Sequence, residues 1–178
     1  MKQFLTLLVL LGVVCHLAGC ASQPLLPPEW AFEKDALKIH IQADERLNLN
    51  EGLPHTLLVC FYQLKDPNTF NQLSSDMVGL YKLLEGGLFD QSVAGVKKVI
   101  INPGQDSNII LDRAEGAKYL AVVTGYFLLQ KERIIRFYDI PVITEVSGFF
   151  RKTEVARPDI LKADLFLGPL QIKTQGGE

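Results

Sequence analysis

Cys20 stands in the run Leu17-Ala18-Gly19-Cys20-Ala21-Ser22, with only small residues against it, directly after an apolar stretch that begins at Phe4. That setting suits a thiol to one reaction. The small side chains admit a peptidase that cuts between Gly19 and Cys20, and the thiol at the new N-terminus takes an acyl chain. The other candidates for chemistry are thin. Of the three cysteines, Cys15 leaves with the segment ahead of the cut, and Cys60 lies alone in an apolar run, where a small buried hydrophobe is the simplest reading. His40 and His55 lack the spacing of metal ligands, and no Cys pair survives cleavage. There is no Gly-x-Ser-x-Gly elbow and no phosphate-binding glycine loop; "GLPH", "EGG" and "PGQ" read as turns. Asp44, Glu45, Asp106, Asp112 and Glu115 are scattered through turns, the usual place for solvated carboxylates. We therefore expect no enzyme, no metal, no cofactor and no small-molecule substrate.

The N-terminal segment has the three parts of an export signal. Lys2 supplies positive charge, and Phe4 to Val14 is apolar but far short of the ~20 residues a membrane-spanning helix needs. The small residues then lead to the cysteine in a pattern that resembles the bacterial lipobox. Residues 1–19 are expected to be a removed signal peptide and Cys20 the lipidated first residue. Each buried acyl methylene contributes ~0.8 kcal/mol, so several chains make a lasting anchor. Ala21-Ser22, in place of an Asp after the cysteine, resembles the exported class and implies the outer membrane, facing the periplasm.

Residues 20–35 hold three prolines and little periodicity. They read as a tether, and about fifteen residues of polyproline-like chain reach on the order of 40 Å. Trp30 and Phe32 are expected to dock where the tether meets the domain. Residues 36–178 are read as that domain, long enough for a single core. Without residues 1–19 the chain carries 17 basic and 20 acidic side chains, with no Lys/Arg cluster, which argues against nucleic acid or anionic lipid surfaces as partners.

Period-2 patterning dominates the body. "ALKIHIQA" (36–43) places Leu37, Ile39 and Ile41 on one face and Lys38, His40 and Gln42 on the other, so His40 is expected to face solvent. "HTLLVCFYQL" (55–64) and "KYLAVVTGYFLLQ" (118–130) are apolar on both faces, as strands covered on both sides must be. Residues 95–112 read as a hairpin about Pro103-Gly104. Pro141 predicts an edge or a break in 133–144, and the last strand candidates are 160–167 and 170–174. One segment, about 66–86, is helical. Asp66-Pro67 opens it, Ser74 or Ser75 caps a run with Met77, Leu80, Tyr81, Leu84 and Leu88 at helical spacing, and Gly86-Gly87 ends it. As the one amphipathic helical element, it should cover the outer face of 55–64 or 118–130. These elements predict an all-β antiparallel sandwich of seven or eight strands with a short helical insertion.

Two loops stand out. "DERLNLNEGLPH" (44–55) is long and carries Leu47, Leu49 and Leu53 among charges. Either the leucines tuck under the sandwich or they form a protein-binding surface. "VSGFFRK" (146–152) holds adjacent phenylalanines, one of them expected in the core.

The run "LNLNEGLPHTLLVCFYQL" (47–64), the Phe70–Leu84 helical stretch, the Pro103-Gly104 turn and "KYLAVVTGYF" resemble, in that order, the type VI secretion assembly lipoproteins, the TssJ/VasD family. With the lipobox, the likeness covers most of residues 17–130. It implies a transthyretin-like sandwich anchored in the outer membrane. It further implies binding to the periplasmic domain of the inner-membrane component TssM, with the loop between the first two strands as the contact. Here that loop is Leu47, Asn48, Leu49, Asn50, Glu51, Gly52 and Leu53, with the leucines expected to carry affinity and the polar residues to set register. The competing readings are a ligand-carrying lipoprotein, with a pocket lined by Tyr62, Tyr126 or Phe127, and a periplasmic hydrolase.

Overall fold

The computed structural model describes residues 27–147 and 153–173. Cys20, residues 1–19 and the paired phenylalanines at 149 and 150 lie outside the described residues.

Alternating strands with one apolar face pair off into two layers. β1 (Glu33–Ala43), β4 (Asp106–Arg113), β9 (Leu161–Leu167) and β10 (Ile172–Lys173) form one sheet, in the order β10-β9-β1-β4. β2 (Leu57–Leu64), β3 (Val93–Ile101), β5 (Tyr119–Thr124) and β6 (Ile135–Asp139) form the other, in the order β3-β2-β5-β6. β7 (Val142–Ser147) and β8 (Thr153–Pro158) make a separate two-stranded ribbon. Between the sheets, Leu37, Ile39 and Ile41 of β1 and Leu165 of β9 share one core with Val59 and Phe61 of β2 and Leu120 and Val122 of β5.

The all-β sandwich with a helical insertion is as expected. Its described strands number ten rather than seven or eight, because the candidate at 133–144 breaks at Pro141 into β6 and β7, and β8 does not read as a strand in the sequence. The pairing is also not wholly antiparallel. β9 lies parallel to β1, with His40 opposite Asp164, and antiparallel pairs make up the rest.

The expected hairpin at 95–112 is not one. β3 pairs with β2 and β4 with β1, so the Pro103-Gly104 turn carries the chain from one sheet to the other. The turn itself is as read: Gly104 has φ +69°, and Gln105 N–H donates to Asn102 O at 3.1 Å. Local turn chemistry is the same whether two strands then pair or diverge.

The insertion is two short helices, α1 (Asn68–Leu73) and α2 (Met77–Leu84). Asp76, not Ser74 or Ser75, caps α2; its carboxylate accepts from Gly79 N–H at 2.8 Å. The helices meet closely at Gly79, where a Cβ would lie 1.9 Å from Leu73 O. Phe70 and Leu83 pack with Cys60, Tyr62 and Leu64 of β2 and Ala121 and Val123 of β5 in a second core on the outer face of that sheet. The predicted apolar face is rotated, since Leu83 is buried whereas Met77, Tyr81 and Leu88 are exposed. Cys60 is buried here, and desolvation pushes its thiol up to about 11, so it stays protonated and is no nucleophile at neutral pH.

At the N-terminal side, Trp30 packs against the main core as expected, but Phe32 is exposed and β1 begins at Glu33 rather than Ala36. β6 stops before Pro141, which has no N–H for a ladder. Among the described residues no helix is long and apolar enough to cross a membrane.

Candidate functional site

Residues 44–56 leave β1 in one sheet and enter β2 in the other, so the loop must cross the core-thick gap of ~10 Å between sheets, which accounts for its length. Its first part is scaffold. Asp44 holds the start: its Oδ1 accepts from Arg46 N–H at 2.9 Å and its Oδ2 from Lys173 Nζ at 3.0 Å, and these bonds hold its carboxyl below the usual range. Leu47 is fully buried in the main core. Asn48 is also buried, at φ +48°; its Nδ2 donates to Thr56 O at 2.9 Å and its Oδ1 accepts from Phe127 N–H at 3.1 Å. Leu49 N–H donates to Pro169 O at 2.8 Å.

The second part is a tight turn. Asn50 and Leu53 exchange backbone hydrogen bonds of 2.9 Å each way around Glu51 (φ +49°) and Gly52 (φ +80°). Two positive φ values at the central positions are those of the type I′ hairpin. The turn holds Leu53 out in solvent. His55 Nδ1 donates to Leu53 O at 2.9 Å, and the His55 ring meets Phe127 edge-on with centroids 5.1 Å apart.

Two further segments come to this end of the sandwich. β5 ends at Thr124, and Tyr126, Phe127 and Leu128 follow it; Gly168, Pro169 and Leu170 join β9 to β10. Tyr126 OH donates to Gly168 O at 3.1 Å and links the two. Leu49, Asn50, Phe127, Leu128 and Leu170 are among the residues around a cleft of about 310 Å³ between these segments. Phe127 is 57% exposed and Leu128 and Leu170 49% each, so three large apolar side chains face water around the cleft, while Leu53, 64% exposed, lies outside its lining at the end of the adjoining turn.

The loop is thereby split. Leu47 and Asn48 were expected at a binding surface and are instead interior, because the chain needs an apolar plug and an amide bridge to cross between sheets. Leu49 and Asn50 are half-buried, and Glu51, Gly52 and Leu53 are exposed. Phe127 and Leu128 were missed as surface residues because 118–130 reads as one continuous apolar strand, and Leu170 because it opens the strand candidate at 170–174. The glycine at 125, where the ladder has already ended, was the available signal. The three aromatic residues named for a ligand pocket do not gather. Tyr62 is buried under the helices with its OH donated to Leu83 O, away from Tyr126 and Phe127.

His40, on the opposite sheet's outer face, is not simply solvated. Nε2 lies 3.0 Å from Asp106 Oδ1 and Nδ1 3.2 Å from Asp164 Oδ1. Among the described residues, no three His, Cys, Asp or Glu side chains are placed to hold a metal.

The described domain is an all-β sandwich that presents exposed apolar side chains on loops at one end. Residues 35–155 match the model of the type VI secretion lipoproteins (VasD, EvfM, TssJ), more than half of the chain, and the protein belongs to that family. It is a family of secretion-system lipoproteins, not of enzymes. The fold is similar to that of the lipoprotein TssJ1 from Pseudomonas aeruginosa (19% identity, TM-score 0.54, covering 83% of this chain and 95% of that one). It is also similar to Lip of Serratia marcescens, a membrane-bound component of the type VI secretion system (19% identity, TM-score 0.55, 78% and 97% covered). A third similar chain belongs to a structure described as the TssM C-terminal domain from EAEC (19% identity, TM-score 0.54, 77% and 94% covered). No curated protein matches the chain in sequence.

Proposed function

We propose that the chain is an outer-membrane lipoprotein that tethers the periplasmic domain of the inner-membrane component TssM. Residues 1–19 are cleaved at Gly19-Cys20, lipid on Cys20 anchors the chain facing the periplasm, and the sandwich docks its partner through the loop platform. The observation that carries this reading is the group of exposed Phe127, Leu128 and Leu170 around the cleft, with exposed Leu53 on the adjoining turn, in a chain of this family. The 49–53 turn supplies one wall, and the partner covers apolar side chains that are otherwise wet.

The test is co-purification of the detergent-extracted full chain with the periplasmic domain of TssM. Changing Leu53 and Phe127 together to Ser should weaken binding by about tenfold or more while leaving the fold intact, as for two central apolar contacts. Leu47→Ala should do the reverse in character, lowering stability by ~2–5 kcal/mol as a core truncation. A folded wild-type chain that fails to bind ends this reading. Binding that survives in the folded double variant moves the interface off the platform.

A further inference from the structure

We propose that Arg113 is a clasp that locks the N-terminal arm onto the sandwich, so that the domain meets its tether at Trp30, in one fixed orientation. Arg113 is the last residue of β4 and is 3% exposed. Its Nη2 bonds Glu33 Oε2 at 2.9 Å and Ala31 O at 3.1 Å, and its guanidinium carbon lies 5.9 Å from the centre of the Trp30 ring. Three residues on, Gly116 N–H donates to Trp30 O at 2.7 Å. Four contacts from one turn thus fall on residues 30–33.

The backbone prepares this grip. The β1–β4 register slips between Glu33 and Leu37, and Asp35 inside the slip has φ +55°, with its N–H donated to Asp112 Oδ1 at 2.9 Å. A bulge of this kind re-aims a strand. Here it brings the arm onto Arg113. The base of the clasp is rigid as well: Gln63 of the opposite sheet accepts from Ala114 N–H at 2.7 Å and donates to Asp112 O at 2.9 Å.

Stability alone explains Arg113 poorly. Its Nε and Nη1 are buried and have no hydrogen-bond partner among the described residues. An apolar side chain of similar length would fill the place without desolvating a charge. What the guanidinium adds is direction, since it grips a carboxylate, a carbonyl and a ring at once.

The position gives the clasp its consequence. β1 starts at Glu33 beside the clasp and ends at Ala43, where the loop toward the platform begins, so the strand, roughly 35 Å long, separates the two. The arm is held at one end of the sandwich and the apolar loops project from the other. The clasp sets the edge of the domain at Trp30 rather than at residue 36, which shortens the stretch left between the domain and Cys20. This rests on the lipid-anchor reading above; the clasp itself does not.

Trp30 is the single tryptophan of the chain and reports the clasp directly. In the full chain in detergent, Arg113→Met should raise acrylamide quenching of Trp30 by about twofold or more and speed amide exchange at Gly116 and Asp35 by about tenfold or more. Exchange in β2 and β5 and the thermal midpoint should stay as in the wild type. Unchanged quenching and exchange overturn the proposal. So does a rise at all amides together, which makes Arg113 a structural residue only. Should Arg113→Met not fold, Glu33→Gln decides by the same two readings. A chain whose mass shows no lipid leaves the clasp standing and ends the anchor reading; an unclasped but lipidated chain does the opposite.

Discussion

The two sheets solve the same problem by different means. In β3-β2-β5-β6 the two central strands, β2 and β5, are covered on both faces, by the facing sheet within and by α1 and α2 without. The outer side of β10-β9-β1-β4 instead carries Lys38, His40, Gln42, Asp106 and Asp164. Each strand's composition follows its cover: β2 is buried along nearly its whole length, whereas β1 alternates. A sheet dry on both faces is held by packing, which is insensitive to pH and sensitive to lost volume. An open face gains little from burial and is cross-linked by polar pairs, here His40 bridging β1 to both of its neighbours. The contrast teaches where each kind of damage should tell.

The largest expected effect strips the cover from the dry sheet. Phe70→Ala should lower the free energy of unfolding by ~3–5 kcal/mol in urea denaturation, because Phe70 packs on Tyr62 at the centre of the outer core. A loss under about 1 kcal/mol would mean that the helices add little to that sheet. Tyr62→Phe keeps the ring and removes the hydroxyl bonded to Leu83 O, so the expected loss is smaller, ~1–2 kcal/mol by the same measurement.

The smallest effect belongs to the open sheet and depends on pH. Both ring nitrogens of His40 face carboxylate oxygens, so both donate and the imidazolium is favoured. The hydrogen bond to Asp106, followed by that to Asp164, raises its pKa above the ordinary 6.5. A group raised on folding adds stability that is complete below its unfolded pKa of about 6.5 and is lost as pH rises through the folded value. The urea midpoint should therefore drift down on the alkaline side of about pH 6.5. His40→Gln should flatten that limb, and an NMR titration of His40 should find its midpoint above 6.5. Asp106→Asn should pull that midpoint back down. A His40 midpoint at or below 6.5 would show that the open face is held by something other than this bridge.

Much of this was legible locally. Leu37, Ile39 and Ile41 alternate and are core; "LLVCFYQL" is apolar on both faces and is covered on both; the only amphipathic helical stretch is what covers it. The candidate site was half legible. The loop was rightly singled out as crossing between the first two strands, but Leu47 and Leu53 look alike in sequence. Residue 47 falls over the core and 53 beyond a type I′ turn, and that is settled by where β2 lies. Gln63 and Asn48 likewise read as ordinary polar residues, yet each is a buried amide bridging distant backbone, to Asp112 and Ala114 in one case and to Thr56 and Phe127 in the other.

The sequence by itself determined the all-β class with its helical insertion, the apolar faces of strands such as β1 and β2, and the family to which the chain belongs. Periodicity and order of motifs are properties of neighbouring residues, and they survive without knowledge of the rest. Only the tertiary structure decided that β3 and β4 part to opposite sheets, that β9 runs parallel to β1, and that Phe127 and Leu170 meet around one cleft beside the turn that carries Leu53. Arg113 turning back on Trp30 belongs with these. Each of those contacts joins residues far apart in the chain, and a residue's own type says only that it needs a partner, not which one the fold will bring.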